Sequence, residues 1–378
     1  MAAPKACVQC GKCLEVCPLF KATGREELTP RAKFFLQTLD PSQGLSEKDF
    51  NSLASLCLSC GRCAKNCPQN MSGPDLVSDL RAKSKGFVQV CWDLWLAKPG
   101  VLWPMAAALS RFSPEALPEP FGSARKRMEA LFARNCEPWA KLVPQIHLEV
   151  RKAVLFKGCT GRYARKEWGD KASKMLDGMG IVRAGEPDFS CCGSSYGSAG
   201  LMDRQQYVRR RNIRLWQEAG EPLLITFCAT CLKGLSEYCV DDFSGDEELH
   251  ACWQAGLTPL SFLLEGAEVH LLDNSPNQVV YHKPCHARKP DPDLALVRMI
   301  AGDRLAPLQE DLCCGFGGVM QLGAPELSRQ VGEHCMGRLT DGLEPGAHIL
   351  TGCSACVIQL ASLVKDEYFA SHWLDILK

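Results

Sequence analysis

Eighteen of the chain's 23 cysteines fall into four ordered sets, and thiols at these spacings limit the fold more than any other feature. Two sets read C-x2-C-x2-C-x3-C-P. They are Cys7, Cys10, Cys13 and Cys17 before Pro18, and Cys57, Cys60, Cys63 and Cys67 before Pro68. Two more read C…CC…C-x2-C. They are Cys159, Cys191, Cys192, Cys228 and Cys231, then Cys285, Cys313, Cys314, Cys353 and Cys356. Cys228 to Cys353 and Cys231 to Cys356 both span 125 residues, so the second pattern repeats and implies two copies of one structural unit. A disulfide framework has no need of C-x2-C-x2-C, whereas thiolates converging on one inorganic cluster do.

The C-x2-C-x2-C-x3-C-P run is that of bacterial ferredoxins holding [4Fe–4S] clusters, in which the fourth cysteine ligates the other cluster. This assigns Cys7, Cys10, Cys13 and Cys67 to one cubane and Cys57, Cys60, Cys63 and Cys17 to another. Zinc, which also binds at four-cysteine sites, is the competing metal. A zinc-bearing structural or interaction protein is therefore the alternative from a different class.

At 378 residues the chain suits two or three domains, and with 46% apolar and 23% charged residues it is globular. The 43 basic and 43 acidic residues balance, which removes the electrostatic case for nucleic acid binding. The first ligand set opens at residue 7, leaving no room for a cleavable signal peptide, and a reducing compartment keeps thiols free for metal. The expected location is the cytoplasm, or the periphery of the inner face of the cytoplasmic membrane. No transmembrane segment is expected, because Lys98, Pro99 and Pro104 interrupt the most apolar stretch, Leu94 to Leu109.

Four domains are expected along the chain. Residues 1–80 hold both ferredoxin runs. Thr29 caps a helix that starts at Pro30 and carries Phe35 and Leu39 on one face; Asp40-Pro41 ends it, and Ser46 to Asp49 opens another. Residues 81–150 form a Pro-rich helical connector whose Trp92, Trp95, Leu96, Leu102 and Trp103 make an apolar surface. That surface packs on the neighbouring domains or, in the sharper reading, docks a partner or a membrane. Residues 151–267 and 278–378 are the two large repeats. Strands at 153–156, 223–227, 279–281 and 347–351 lead to Cys159, Cys228, Cys285 and Cys353, and helices are expected over 166–179, 204–219 and 327–339. The fold class is therefore mixed: an α-helical two-cluster ferredoxin module followed by two repeated α/β units with parallel strands. In such sheets functional loops lie beyond the strand C-termini, where both repeats place their cysteines.

Each CC pair precedes glycine, in Cys191-Cys192-Gly193 and Cys313-Cys314-Gly315-Phe316-Gly317-Gly318. Glycine permits unusual backbone angles and close approach to a bulky inorganic group. Two inert buried cysteines are the plainer reading, but the repetition with Cys228-Ala229-Thr230-Cys231 and Cys353-Ser354-Ala355-Cys356 argues against it.

Here the chain resembles the cysteine-rich "CCG-domain" iron–sulfur oxidoreductases over nearly its whole length. These include the D subunit of heterodisulfide reductase and the iron–sulfur subunits of glycolate oxidase and lactate dehydrogenase. The resemblance implies that Cys159, Cys191, Cys192, Cys228 and Cys231 hold one noncubane [4Fe–4S] cluster, and that Cys285, Cys313, Cys314, Cys353 and Cys356 hold another. The first set has 31 and 35 residues around its CC pair, whereas the second has 27 and 38, so one or two further clusters are expected.

His282 and His286 flank Cys285 and are candidates for proton delivery beside an open cluster; the plainer reading is two loop histidines bonded to backbone. Cys192 and Cys314 are the candidate catalytic thiols. Cys91, Cys136, Cys239, Cys252 and Cys335 fit no set and read as ordinary buried thiols. Arg209 to Arg211 reads as a solvated helix face. No G-x-G-x-x-G follows a strand, so no flavin or nicotinamide site is expected in this chain. The expected function is an electron-transfer subunit between a flavoprotein 2-hydroxy-acid dehydrogenase and a quinone or other carrier, partnered by that flavoprotein or by a membrane cytochrome or quinone reductase. The alternative is a heterodisulfide-reductase-like catalytic subunit.

Overall fold

The apolar runs that end at cysteines become the central strands of two small parallel sheets. The computed structural model describes residues 6–38, 52, 55–83, 86–114, 117–119, 121–133, 136–145 and 152–378. Strand β1 (Ala140–Val143) precedes the first sheet, which contains β2 (Ala153–Phe156), β3 (Leu223–Thr226) and β4 (Leu257–Pro259) in the order β2-β3-β4. Strand β5 (Glu268–Leu271) returns antiparallel to β1. The second sheet contains β6 (Val279–Tyr281), β7 (His348–Thr351) and β8 (Phe369–His372) in the order β6-β7-β8.

Both sheets are parallel throughout, with Ala153 opposite Leu223 and Val279 opposite His348. Each first strand gains an isolated parallel bridge on its free edge, Ala153 to Arg183 and Val279 to Leu305. These strands are buried and carry few polar residues, as expected of parallel sheets covered on both faces. Helices Lys166–Gly178, Met202–Glu218 and Pro325–Leu339 stand where the periodicity predicts them.

Among the described residues of 6–83 there are helices and turns but no strand. Thr29 caps helix Pro30–Leu36 by accepting from Ala32 N at 3.3 Å. Leu39, Asp40-Pro41 and the helix start at Ser46 to Asp49 lie outside the described residues. The connector forms helices Phe87–Ala97, Pro99–Phe112 and Phe121–Phe132. The sequence reading took Pro104 for an interruption, but it lies inside a continuous helix; the break falls at Lys98, and Pro99 starts the next helix, where a missing N–H costs nothing. Among the described residues, no helix is long and apolar enough to cross a membrane.

The two repeats share one core. Trp168 and Trp216 of the first pack in the same apolar cluster as Val297, Trp373 and Leu374 of the second. A buried polar clasp fixes their relative position. Asp375 accepts from Trp168 Nε1 at 2.7 Å and from Arg165 Nη2 at 2.5 Å, and Arg165 is 1% exposed. Ala229 N also donates to Gly352 O at 2.8 Å across the repeats.

Two outcomes follow from these buried carboxylates. Asp375→Ala leaves Arg165 with only the partly exposed Glu167 at 2.6 Å and Trp168 Nε1 with no acceptor, and should destabilise the protein by about 3 kcal/mol, read as a lowered thermal midpoint. Asp293, which accepts from Trp373 Nε1 at 3.1 Å, has its carboxyl pushed up to about 8 by burial. An unfolded aspartate titrates near 3.9, so the folded chain holds this proton where the unfolded one has lost it. The contribution is complete below about pH 4 and is lost as pH rises toward about 8. Asp293→Asn should flatten that part of the stability–pH curve in denaturant titrations; an unchanged slope refutes the assignment.

Candidate metal centres

The two ferredoxin runs curl in the same way. Gln9 and Gly11 in the first, and Ser59 and Gly61 in the second, all take positive φ between 53° and 80°. This bends each C-x2-C-x2-C loop around a common centre before a short helix begins at Lys12 or Arg62. Cys67 lines the same small cavity as Cys7, Cys10 and Cys13, which Cys63 also borders, while Cys17 lies beside Cys57 and Cys63 and near Cys13. Cys10 is exposed, whereas Cys17, Cys60 and Cys63 are buried. Burial pushes the Cys63 thiol up to about 12 and raises Cys17, so these sulfurs need a metal or a cation to carry charge. Buried Lys33, bonded to Leu28 O, supplies one cation near Cys57, Cys17 and Cys63.

Each C-x2-C pair of the large repeats straddles a helix start, Ala229–Ser236 after β3 and Ser354–Ala361 after β7. Each CC pair sits above the strand ends, followed by a glycine with positive φ: Gly193 at 91° and Gly315 at 80°. A Cβ on Gly315 would lie 2.5 Å from Ser328 O, so no other residue fits that turn.

The ten sulfurs form one continuous line. Cys191 contacts Cys159 and Cys192; Cys192 contacts Cys231; Cys231 contacts Cys228. Cys285 contacts Cys313, Cys313 contacts Cys314, and Cys314 contacts Cys356, which contacts Cys353. The two lines meet where Cys228 contacts Cys353. Thr230 Oγ1 stands 3.1 Å from Cys353 Sγ, and Ser354 N donates to Cys228 Sγ at 3.5 Å. Donation from Cys191 and Cys231 holds Cys192 below the ordinary thiol range. Cys231 and Cys353 do the same for Cys228, as Cys285 and Cys314 do for Cys313. The thiols that donate to them, Cys191, Cys231, Cys285, Cys314 and Cys353, are raised in turn, and sulfurs crowded this closely suit a multinuclear metal centre that would take the place of those protons. A further sign of fit is Gly158, where a Cβ would lie 2.8 Å from Cys231 Sγ and crowd that sulfur.

The second set adjoins the ferredoxin module. Cys60 and Cys313 pack in one apolar cluster with Cys17, Leu28, Leu58 and Met320, and Cys285 borders it. Arg62, between Cys60 and Cys63 in sequence, donates to Leu312 O and lies near Cys313, Cys60 and Cys285. Arg81 donates to Ser198 O and to Cys57 O, tying the module to the first repeat as well. The first set faces the connector instead. Trp92, Trp95, Trp103 and Met128 wall an apolar cavity of about 420 Å³ whose floor holds Cys159, Cys191, Cys192, Cys228 and Cys231. The inner face of the connector thus packs on the repeats, while Phe87, Val90, Leu94, Val101 and Met105 stay exposed on the outside.

His286 Nδ1 lies 3.2 Å from Thr230 Oγ1, and burial holds its ring down to about 4. The ring lies near the backbone of Ser59, and its Nε2 has no hydrogen-bond partner among the described residues. His282 is fully buried, also held down to about 4 by burial, with Nδ1 3.7 Å from Cys335 Sγ. Its Nε2 has no hydrogen-bond partner among the described residues, so the backbone-bonded reading does not describe it. Cys335 is buried as expected. Cys239 and Cys252 are exposed, however, and Cys91 and Cys136 are only half-buried. Cys252 lies on the outer side of helix Glu247–Gly256, which buries only Trp253. Arg209 and Arg211 are not simply solvated, for they bond Asp242 at 2.9 Å and Asp188 at 2.7 Å. Sequence reasoning missed Lys33, Arg62 and the Cys228–Cys353 contact. The 125-residue period was a signal for the last, since two equal units often pair face to face.

Residues 3–71 match the 4Fe-4S dicluster domain, and residues 153–236 and 279–361 each match the Cysteine-rich domain. The glycolate oxidase iron-sulfur subunit of Escherichia coli is 24% identical over 99% of this chain and 93% of its own length. The D subunit of the dihydromethanophenazine:CoB–CoM heterodisulfide reductase of Methanosarcina barkeri is 25% identical over 93% of this chain and 86% of its own. A probable glycolate oxidase iron-sulfur subunit of Bacillus subtilis is 23% identical over 98% and 92%.

The crossed arrangement of the fourth cysteines is testable. In anaerobically purified protein, Cys17→Ala should perturb the same electron paramagnetic resonance signal as Cys57→Ala, while Cys67→Ala should perturb the one altered by Cys10→Ala. Signals that instead group Cys17 with Cys10 refute it.

Proposed function

The chain belongs to the iron–sulfur proteins that join a 4Fe-4S dicluster domain to two cysteine-rich domains, and we propose that it is the electron-transfer subunit of an oxidoreductase complex. In this reading it takes electrons from a flavoprotein that oxidises a 2-hydroxy acid of the lactate or glycolate type and passes them toward a quinone or another carrier. The carrying observation is the order of the sulfurs. Exposed Cys10 opens the path, and Cys60 joins the ferredoxin sets to Cys313 in one apolar cluster. The line from Cys285 to Cys159 then ends at the Trp-walled cavity.

Cys7, Cys10, Cys13 and Cys67 would hold one [4Fe–4S] cluster and Cys57, Cys60, Cys63 and Cys17 a second. The five-cysteine sets would hold one or two more, of the noncubane type. Bound there, iron–sulfur clusters supply one-electron storage at potentials set by burial and by hydrogen bonds to sulfur. The protein's part is to keep those sulfurs dry and close. Lys33, Arg62 and Arg81 place positive charge beside the second ferredoxin set, which offsets the cost of burying thiolates.

A second reading has its own observation. Both five-cysteine sets are complete and meet at Cys228 and Cys353. A cavity of about 390 Å³ opens over Cys285, Cys313, Cys314, Cys353 and Cys356 with His286 and Thr230 on its wall. That arrangement suits a catalytic subunit that reduces a disulfide, with Cys192 and Cys314 as essential thiols and His286 beside the cavity to deliver a proton.

Anaerobic protein assayed for iron, acid-labile sulfide and zinc, then titrated with a reductant, tests both readings. Reducible [4Fe–4S] signals without disulfide reductase activity support electron transfer. Disulfide reduction with reduced viologen, abolished by Cys192→Ala or Cys314→Ala while the ferredoxin signals persist, supports the second reading. Zinc without iron sinks both.

A further inference from the structure

The second five-cysteine site holds polar groups that the thiols alone do not explain. His282 follows β6, and its backbone N donates to Leu350 O at 2.9 Å on β7. Its side chain is 1% exposed. Nδ1 faces the Cys335 thiol at 3.7 Å, while Nε2 is buried and has no hydrogen-bond partner among the described residues. A ring nitrogen of His282 and the sulfurs of Cys314 and Cys356 lie within 4.8 Å of one another. Cys335, on helix Pro325–Leu339, is 0% exposed and belongs to none of the four sets. A buried nitrogen left unpaired is costly, so this arrangement calls for a partner that comes with the metal centre.

We propose that His282 donates its Nε2–H to a thiolate sulfur of the second site, and that Cys335 fixes the tautomer by donating its S–H to Nδ1. This rests on the iron–sulfur reading of that site. A thiol is a donor to an imidazole lone pair, and once Nδ1 accepts, the ring hydrogen must sit on Nε2. A nitrogen carrying hydrogen donates to sulfur; it does not ligate iron. The five thiolates of the set already supply the anionic ligands, whereas a donor aimed at them lowers the cost of adding an electron. The repeat supplies its own control. Three residues before Cys285 stands His282, but three residues before Cys159 stands Phe156, fully buried and unable to donate. The two sites therefore differ at this position, and the donor at His282 makes the second site easier to reduce than it would be with phenylalanine there.

A redox titration of the cluster-loaded full chain, followed by electron paramagnetic resonance, tests this. His282→Phe should disfavour reduction of the second site about tenfold, about 59 mV for one electron, and leave the ferredoxin signals in place. His282→Gln keeps an N–H near the same position and should restore most of the shift. Cys335→Ala should lower the potential by less, and Cys335→Ser, which keeps a donor, should not. Pulsed measurements with ¹⁵N-histidine should show weak nitrogen coupling and an exchangeable proton, both lost in His282→Phe. An unchanged potential in His282→Phe with all clusters present overturns this inference alone, and strong coupling, meaning direct ligation, overturns it too. A wild-type protein without a cluster at the second site overturns both the inference and the reading beneath it. Should His282→Phe fail to load, the Cys335 pair decides, because equal potentials for Cys335→Ala and Cys335→Ser refute the relay.

Discussion

The contact between Cys228 and Cys353 is the constraint on which the rest of the structure depends. Each cysteine ends a buried parallel strand and starts the helix that carries the second cysteine of its pair. Bringing these two helix starts together requires the two sheets to face one another at their C-terminal edges. Ala229 N bonding Gly352 O fixes that approach, and Arg165 with Trp168 on Asp375 holds the far side of the interface. Across that interface the Cys353 thiol is held up and Cys228 held down by their mutual hydrogen bond, so the two sulfurs share one proton that a bound metal would displace.

The post-cysteine loops that close the sites also form the socket for the N-terminal module. After the first CC pair, Gly197 O and Ser198 O accept from Ser78 and Arg81, and a Cβ at Gly200 would lie 2.4 Å from Ala82 N. At the second, Leu312 O just before the CC pair accepts from Arg62, and a Cβ at Gly317 just after it would meet Leu58 at 2.6 Å. The first loop thus meets helix Gly73–Lys83 and the second meets Leu58 and Arg62, each with thiols on its other side. A change that loosens docking of the module therefore also disturbs the sulfurs.

Much of this was legible in the residues, and what was not has a physical cause. Strands at 153–156 and 279–281 were readable because parallel strands buried on both faces are continuous apolar runs. Helix Pro30–Leu36 was readable from Thr29 and Pro30. The four thiol sets were readable because metal ligands fix spacing. Lys33, Arg62 and Arg81 were not, since a lone cation in sequence says nothing about what it faces 250 residues away, as Arg62 does at Leu312. Cys335 looked like core because it shares its helix face with Val331, Met336 and Leu339, and core it is; only the fold brings His282 against it. Pro104 misled because a proline is a poor start for any argument about a helix whose packing tolerates one lost bond.

The two repeats are equal in period and unequal in surroundings, and the inequality follows from where the module docks. The second set lies under Leu58 and Cys60, and its spacing of 27 and 38 residues differs from the 31 and 35 of the first where that contact is made. The first set lies under Trp92 and Trp103, in an apolar cavity rimmed by exposed Phe121 and Leu322. One site therefore lies against Arg62, a buried histidine and the neighbouring ferredoxin sulfurs, while the other lies under tryptophan, with Gly193 N and Ser354 N donating to Cys191 and Cys228. With clusters bound as proposed, duplicated ligand sets in such different surroundings would differ in the stability of an added electron, because a dry apolar wall disfavours negative charge and a nearby donor favours it. Identical thiols, unequally surrounded, would make the site beside Cys60, midway along the path, the better place for an electron to rest.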